Sequence, residues 1–464
     1  MSKKLFNDFK SVSSKEWKQK IQVDLKGADY NDTLIWQTNE GIGVKPYYHA
    51  DEFNKGFTTI SNPKTWSICQ SIFVHDTQLS NKKAIDALAR GAESIKFIIQ
   101  NNNTSIDELL QNIDLNTITL FFEIQFLDPE FSKKISKLKS KAGLFISTDI
   151  IGNLSRSGNW YSSLKADHLH FDSIVQEARA FSIDVSLHQN AGATIVQQLA
   201  YALAHTNEYF NHFKDTSVKI NEVIFNISIG TNYFFEIAKI RALRLLFNTL
   251  ISEYNIKANC HIIATPTKRN KTIYDYNTNM LRTTTECMSA IFGGANTICN
   301  LAYDGIYHKD NEFGERIARN QLLVLKHESY FDFVNNVSEG TYYIESLTNQ
   351  LAEKALILFK DIEAPGGFLS QLKAGTIQRK IKESALKEQK HFDNGELVLI
   401  GTNKYPNAED KMKNNLELFP FVKTHIRKTL INPIIEQRLA AVSYTHLTLP
   451  KRCHRCSSRW WGCD

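Results

Sequence analysis

The stretch WSICQSIFVHDTQLSNKKAIDALARGAESIKFIIQ, residues 66–100, carries the clearest fold signal in the chain. Two β-branched and aromatic runs flank a helix-compatible segment, and this alternation continues to about residue 305. It gives eight candidate strands, at residues 66–76, 94–100, 117–126, 143–151, 182–189, 222–230, 259–267 and 295–303. Parallel neighbours need a crossover, which a helix supplies. Eight such units predict an α/β fold, a parallel (β/α)8 TIM barrel with functional loops at the carboxyl ends of its strands.

Three structural regions are predicted before the last residues of the chain. Residues 1–63 form an N-terminal helical and extended arm, whose helix begins at a capping box of Ser13 and Glu16. The barrel occupies residues 64–330, and residues 331–441 add a helical extension. Aromatic side chains in the arm offer too much apolar area to remain in water. We therefore expect the arm to pack on a partner subunit.

The C-terminal part of the chain changes in character. Residues 397–406, LVLIGTNKYP, are predicted to be a late strand or an extended return, and residues 432–441, NPIIEQRLAA, begin like an amphipathic helix. Residues 442–464 resemble translated adapter or vector sequence, and we interpret them as a non-native tail. Cys453 and Cys456 would make half of a zinc site, but one C-x-x-C without a second ligand pair is a weak signal. We predict no metal site.

Composition argues against several classes of function. The net charge of +6 comes from 55 basic and 49 acidic residues, and the one basic run, at residues 133–141, has the spacing of a solvated helix face. We therefore predict no nucleic-acid partner. No apolar run approaches the length of a membrane span, so we expect a cytoplasmic protein without a membrane partner. Four cysteines stand in apolar contexts typical of reduced, buried thiols: Cys69, Cys260, Cys287 and Cys299.

Four ordered stretches in the second half of the chain carry a family resemblance. They are GTNYFFEIAKIRALRLLF at 230–247, YDYNTNMLRTTTECMSAIFGGANTICNLAYD at 274–304, ERIARNQLLVLKHES at 315–329 and SEGTYYIESLTNQLAEKA at 338–355. Together they resemble the acyl-CoA-binding barrel of the methylmalonyl-CoA mutase family. With further matches near both ends, the resemblance covers roughly residues 10–440. It implies the same barrel fold that the strand pattern predicts.

The chain departs from the active members of this family at three motifs. Active chains carry a histidine in His-x-Gln-Glu-Ala-Gly-Ala, where SLHQNAGA places Leu187, and His188 would then face the other side of a strand. The first-strand tyrosine is missing beside Gln70. The stretch that supplies an arginine for the substrate carboxylate is replaced by residues 149–160, in which Arg156 matches no motif. A cobalamin-binding Asp-x-His-x-x-Gly loop is also absent, because the tail begins before the region that would resemble a cobalamin domain.

These departures, taken with the resemblance, imply the small subunit of a heterodimeric methylmalonyl-CoA mutase. In such an enzyme the large subunit binds adenosylcobalamin and interconverts methylmalonyl-CoA and succinyl-CoA in propionate metabolism. The small subunit keeps the fold and stabilises its partner, so we expect no catalytic residue and no cofactor on this chain. Six residues remain as vestigial substrate-binding candidates: Gln70, His188, Gln189, Asn190, Asn277 and Arg282.

Two alternative functions stay open at this point. The chain would be a catalytic acyl-CoA mutase subunit if its cobalamin domain lay on a separate polypeptide, although it lacks the tyrosine and the arginine. It would be a repurposed acyl-CoA-binding module if Asn277, Arg282 and the Gly293-Gly294 pair still served a ligand. A purely structural interpretation is available for each of these residues, since two glycines after a helix favour a left-handed turn.

Overall fold

A computed structural model describes residues 8–53, 60, 62–138, 140–407, 409–410, 415–418 and 427–441. Its centre is one parallel sheet of eight strands: β1 Ser67–Val74, β2 Ser94–Ile99, β3 Thr119–Ile124, β4 Leu144–Ser147, β5 Ala180–Asp184, β6 Glu222–Ile229, β7 Asn259–Pro266 and β8 Thr297–Cys299. The order within the sheet is β4-β3-β2-β1-β8-β7-β6-β5. At the remaining seam, the Ser182 N–H donates to the Thr148 carbonyl at 3.3 Å. The predicted (β/α)8 barrel is confirmed as a nearly closed barrel.

The helices cover the outer face of this sheet and extend beyond it. They are α1 Ser14–Asp24, α2 Tyr30–Leu34, α3 Thr77–Ala89, α4 Ile106–Leu109, α5 Pro129–Ser136, α6 Ile150–Ser157, α7 Leu164–Ala178, α8 Ser186–Asn190, α9 Ile195–Phe213, α10 Tyr233–Tyr254, α11 Thr278–Gly293, α12 Glu312–Leu323, α13 Tyr342–Glu363, α14 Gly367–Lys373 and α15 Thr376–Asp393. Side-chain caps begin many of them, such as Asp76 before α3 and Thr194 before α9. Within the described ranges, none of the helices combines the length and apolar content that a membrane crossing requires.

Side chains alternate between the barrel interior and the helix layer along each strand. On β3, Leu120 and Phe122 join the outer core against the helices, whereas Phe121 lies inside with Ile224 and Ile263. Most outward-facing residues are buried, but several inward-facing polar residues keep some accessible surface. The interior is therefore partly polar, unlike the layer between strands and helices.

The arm has two parts with different environments. Helix α1 begins at the predicted capping box of Ser13 and Glu16, yet none of its residues is buried. After it, Trp36–Gln37 pairs antiparallel with Gly43–Val44, and Ile42 is buried at 1% exposure against the main core. The second part of the arm, around Ile42, thus packs on the barrel, whereas α1 is exposed to solvent.

The segment predicted as the fifth strand needs a correction. The strand ends at Asp184, and residues 186–190 form the short helix α8. The Asp184 carboxylate accepts the Ser186 N–H at 3.1 Å and so starts the turn that ends the strand. Leu187 and His188 consequently do not stand on opposite faces of a strand. Both are buried at 1% exposure.

The C-terminal predictions are partly wrong for a tertiary reason. Residues 397–406 form turns with one isolated bridge between Ile400 and Lys404, so they make no strand. Residues 432–438 form no regular secondary structure and residues 439–440 lie in a turn, so the predicted helix is not formed over this segment. Their backbone N–H groups bond carbonyls of other elements: Ile434 to Ser155, Gln437 to Asn190 and Leu439 to Arg269. The tail, residues 442–464, lies outside the described residues, and the division into domains stays a prediction.

Candidate functional site

A cavity of about 300 Å³ lies at the carboxyl ends of β5, β6 and β7. The loops after these strands form its floor, and they contribute Gly230 and Thr267. The arm closes one side with residues 36–40, and α15 together with residues 397–399 closes the other. This is the end of a barrel where ligand sites are built, because several strand ends and their loops converge there.

Lys239, which comes from α10, is buried below this cavity. Its Nζ donates to Gln189 Oε1 at 2.8 Å, to Gln198 Oε1 at 3.2 Å and to the Ser228 carbonyl at 2.7 Å, and it also pairs with Glu236. Burial lowers the pKa of Lys239 while the Glu236 carboxylate opposes that effect. Three of the residues that hold the ammonium group, Gln189, Gln198 and Glu236, also line the cavity.

A second buried ion pair lies beside the first. Lys271, in the loop after β7, donates to Glu286 on α11 at 2.7 Å, and each residue is 1% exposed. Asn270 Nδ2 donates to the same carboxylate at 2.6 Å. Burial lowers the pKa of Lys271 and raises the pKa of Glu286, since each group loses the solvation of its charge.

The arm contributes a carboxylate to the rim of the cavity. Glu40 accepts the backbone N–H groups of Ile195 at 3.0 Å and Val196 at 2.9 Å. These are first-turn donors of α9, which carry the partial positive charge of the helix N-terminus. Burial raises the pKa of Glu40, although the two N–H groups act in the opposite direction. The contact ties the arm to the barrel at the mouth of the cavity.

Two of the six predicted site residues come together here. Gln189 lines the cavity and holds Lys239, while Asn190 Oδ1 accepts the Thr267 hydroxyl at 2.7 Å and its Nδ2 donates to Glu436 at 2.9 Å. Both side chains therefore fasten neighbouring elements to one another. They face other residues of this chain in a way that agrees with a structural role.

His188 lies next to them but on the other side of the short helix. Its ring packs against Tyr201 and against Phe368 of α14, with ring centroids 5.3 and 6.1 Å apart. The Nδ1 atom has no hydrogen-bond partner among the described residues. Burial, helped by the neighbouring His205, lowers the pKa of His188 to about 4. The imidazole is thus neutral and enclosed at neutral pH.

The other three candidates lie away from the cavity. Gln70 sits on β1 and accepts from Arg319 of α12 at 3.2 Å. Asn277 is exposed just before α11. Arg282, on the same helix, donates to Asn279 Oδ1 of that helix and to two loop acceptors, Thr272 Oγ1 and the Ile400 carbonyl. The fold does not bring these residues to one point with Gln189 and Asn190.

Charged side chains also occupy the barrel mouth at β2 to β5, and sequence reasoning missed most of them. Lys96 pairs with Glu123 at 2.8 Å, and Arg156 pairs with Asp184 at 2.6 Å and with Glu436 at 3.3 Å. Burial acts against the charged form of Lys96, but the Glu123 carboxylate prevails and raises its pKa overall. A charged residue inside an otherwise apolar strand, as at positions 96 and 123, is the signal that would have found this pair.

The family motif that would supply an arginine for a substrate carboxylate is replaced in this chain, and Arg156 is the arginine nearest to that stretch. Two carboxylates of the chain itself already neutralise the Arg156 guanidinium, one from β5 and one from the C-terminal segment of residues 432–441. An anionic ligand group would have to displace Asp184 or Glu436 before it could bind there.

Residues 133–441 match the family model described as methylmalonyl-CoA mutase. The chain belongs to the methylmalonyl-CoA mutase family. Over 89% of its length it is 34% identical to the methylmalonyl-CoA mutase small subunit of Porphyromonas gingivalis, of which it covers 73%. It is 28% identical to the methylmalonyl-CoA mutase of Rhizobium meliloti over 87% of its own length, and it spans only 64% of that protein.

Solved structures resemble the chain only loosely. Dihydropteroate synthase from Thermus thermophilus, in complex with 4-aminobenzoate, superposes with a TM-score of 0.31 and 10% sequence identity. The superposition covers 56% of this chain and 94% of that one. A structural similarity this weak does not support a fold assignment, so the assignment of the barrel fold rests on the strand order of the sheet.

Proposed function

We propose that the chain is the small, non-catalytic subunit of an adenosylcobalamin-dependent methylmalonyl-CoA mutase heterodimer. The holoenzyme would interconvert methylmalonyl-CoA and succinyl-CoA, and this chain would stabilise the catalytic large subunit. The observation that carries the proposal is the clamping of Arg156 between Asp184 and Glu436. These two carboxylates neutralise the guanidinium charge that a substrate carboxylate would otherwise meet. Family membership and the similarity to a small subunit give it independent support.

The cofactor would be bound by the large subunit. Adenosylcobalamin supplies the radical when its cobalt–carbon bond breaks. His188 and His205 do not fit the role of a cobalt ligand, because each is 1% exposed and its ring packs against Phe368. No step of the rearrangement is therefore assigned to side chains of this chain.

A retained acyl-CoA-binding capacity is the second candidate. It is favoured by Asn226, an inward-facing residue of β6 whose Oδ1 atom has no hydrogen-bond partner among the described residues. The Ser147 Oγ atom of β4 also has no hydrogen-bond partner among the described residues. Calorimetric titration of the isolated chain with propionyl-CoA separates the two candidates, because micromolar binding, about −8 kcal/mol, would favour a binding module.

The purified chain alone is expected to show no mutase turnover when adenosylcobalamin is added. Turnover should appear only after the large subunit is supplied, and a His188→Gln variant should leave that holoenzyme rate unchanged because the ring is enclosed. Conversion of methylmalonyl-CoA to succinyl-CoA, followed by chromatography, is the measurement. Turnover by the isolated chain would overturn the non-catalytic proposal and favour a catalytic chain with a separate cobalamin polypeptide.

We further propose that helix α1 reaches the large subunit. Its apolar side chains point into solvent in the isolated chain, with Trp17 at 54% and Val23 at 71% exposure. The Trp17 ring lies edge-on to the Tyr47 ring within the arm, with ring centroids 5.7 Å apart. Exposed aromatic and aliphatic groups of this kind are typical of subunit interfaces. The remainder of the arm is already committed to the barrel through Glu40 and Ile42.

Deletion of residues 1–28 is expected to abolish co-elution with the large subunit in size-exclusion chromatography. The cut spares Glu40 and Ile42, so the melting temperature of the isolated chain should stay within about two degrees. A full-length Trp17→Ser, Val23→Ser variant is the matched control, and it should weaken co-elution without any change in chain length. If both variants still co-elute at equal stoichiometry, the interface lies on the barrel and not on α1.

A further inference from the structure

Two cysteines face each other inside the barrel. Cys69 of β1 and Cys299 of β8 are register partners in neighbouring parallel strands, and both side chains point inward. They are buried at 4% and 2% exposure within one small cluster that also holds Phe121, Ile224 and Ile263. The two thiols lie on the first and the last strand of the barrel, and closure of the sheet between β8 and β1 makes them neighbours.

The surroundings distinguish the two sulfur atoms. The Cys69 thiol hydrogen-bonds to Cys299, and with the Lys96 ammonium and the Ser71 N–H it lowers the pKa of Cys299 despite burial. Burial, together with the same partner, raises the pKa of Cys69. Deprotonation of the pair is therefore easier at the Cys299 sulfur than at the Cys69 sulfur. A thiolate next to a cation is the arrangement in which cysteines react with electrophiles.

Several inward-facing side chains on the mouth side of this pair keep contact with solvent. The Lys96 side chain is 12% exposed and its partner Glu123 is 36% exposed. Phe73, further along β1 on the same face, is 40% exposed. Hydrogen peroxide, a small uncharged molecule, would have to reach the thiols past these residues.

We propose that Cys299 and Cys69 form a peroxide-reactive dithiol site that closes into an intrachain disulfide. The Cys299 thiolate attacks one oxygen of hydrogen peroxide, the O–O bond breaks, and the leaving hydroxide takes a proton to become water. Cys69 then attacks the resulting sulfenic acid, loses its proton and releases a second water. Both sulfur atoms are oxidised by one electron each, and the peroxide is reduced to two water molecules.

The strand register suits this bond. Neighbouring strands lie about 4.8 Å apart, which is within the separation of roughly 4.4–6.8 Å that a disulfide spans between Cα atoms. The bond would join β1 to the three-residue strand β8, the shortest strand in the sheet. It would close a very long loop of chain, so oxidation should raise the melting temperature by about five degrees or more.

The test treats the full chain with hydrogen peroxide, blocks remaining thiols and digests the protein for mass spectrometry. The expected product is a linked peptide pair containing Cys69 and Cys299, about two mass units lighter than its reduced parts because two hydrogen atoms are lost. In a Cys69→Ser variant, a sulfenic-acid probe should label Cys299, whereas Cys299→Ser should leave Cys69 unlabelled. Lys96→Met should slow the reaction about tenfold, the cost of one pKa unit.

The other described cysteines provide matched controls. Cys260→Ser and Cys287→Ser should oxidise at the wild-type rate, because Val223 lies opposite Cys260 in the sheet register and Cys287 lies on α11, outside the sheet. Urea-unfolded chain serves as the reference for detecting every possible cysteine pairing. If the native chain yields no Cys69–Cys299 linkage at peroxide doses that label a surface thiol, or if Cys69 is labelled before Cys299, the proposal is wrong.

Discussion

Replacement of Lys271 by methionine is expected to lower the free energy of unfolding by about 3–5 kcal/mol, the typical cost of leaving a buried charge without its partner. Lys271 and Glu286 are each 1% exposed and lie 2.7 Å apart. Without the ammonium group, the Glu286 carboxylate keeps only Asn270 as a charge-stabilising donor among its described hydrogen bonds. Chemical denaturation, with the midpoint and the slope compared to wild type, provides the measurement.

A double substitution distinguishes the loss of the whole ion pair from the loss of only one of its charges. Lys271→Met combined with Glu286→Leu should recover much of the lost stability, because hydrophobic residues of similar size often replace a buried ion pair at little cost. Lys20→Met is the control, since its partner Asp24 is 62% exposed and the pair is screened by water. A Lys271→Met chain as stable as the Lys20→Met chain would contradict the stabilising role of the Lys271–Glu286 ion pair.

The stability of the chain is expected to fall by about 3 kcal/mol between pH 6.5 and pH 4 through His188 alone. Burial depresses the pKa of His188 from 6.5 to about 4 in the folded chain, while unfolding restores the ordinary value. The folded ring therefore binds fewer protons than the unfolded ring. Its contribution is complete above about pH 6.5 and is lost progressively as the pH falls through the folded pKa near 4.

The charged neighbours of His188 act in both directions. His205 and Arg156 disfavour its protonation, whereas Asp184 and Asp149 favour it, and burial is the largest effect. A His188→Leu variant should flatten the pH dependence of unfolding between pH 6.5 and 4, because Nδ1 has no described partner to lose. The exposed His327, changed to glutamine, is the control and should leave the profile unaltered. An unchanged profile in His188→Leu would exclude this residue as the source.

The assignments of His188 and of residues 432–441 were wrong because backbone N–H groups find acceptors that the sequence pattern does not indicate. Sequence reasoning placed His188 on a strand because residues 182–189 alternate in polarity, yet Asp184 turns the backbone into a helix by accepting the Ser186 N–H. It gave residues 432–441 a helical start because of their apolar spacing. Their N–H groups instead find acceptors on three other elements, which no local pattern announces.

What the sequence by itself determined about this protein is its set of elements and its family. The eight strands and the capping box of α1 follow from patterns within a few residues of one another. Only the tertiary structure decided which charges meet. Lys96 with Glu123, Arg156 with Glu436 and Cys69 with Cys299 are distant in the chain. Pairing of adjacent strands brings Lys96 to Glu123, closure of the sheet between β8 and β1 brings Cys69 to Cys299, and packing of the C-terminal segment on the barrel brings Glu436 to Arg156. Electrostatic and thiol chemistry depend on those distances.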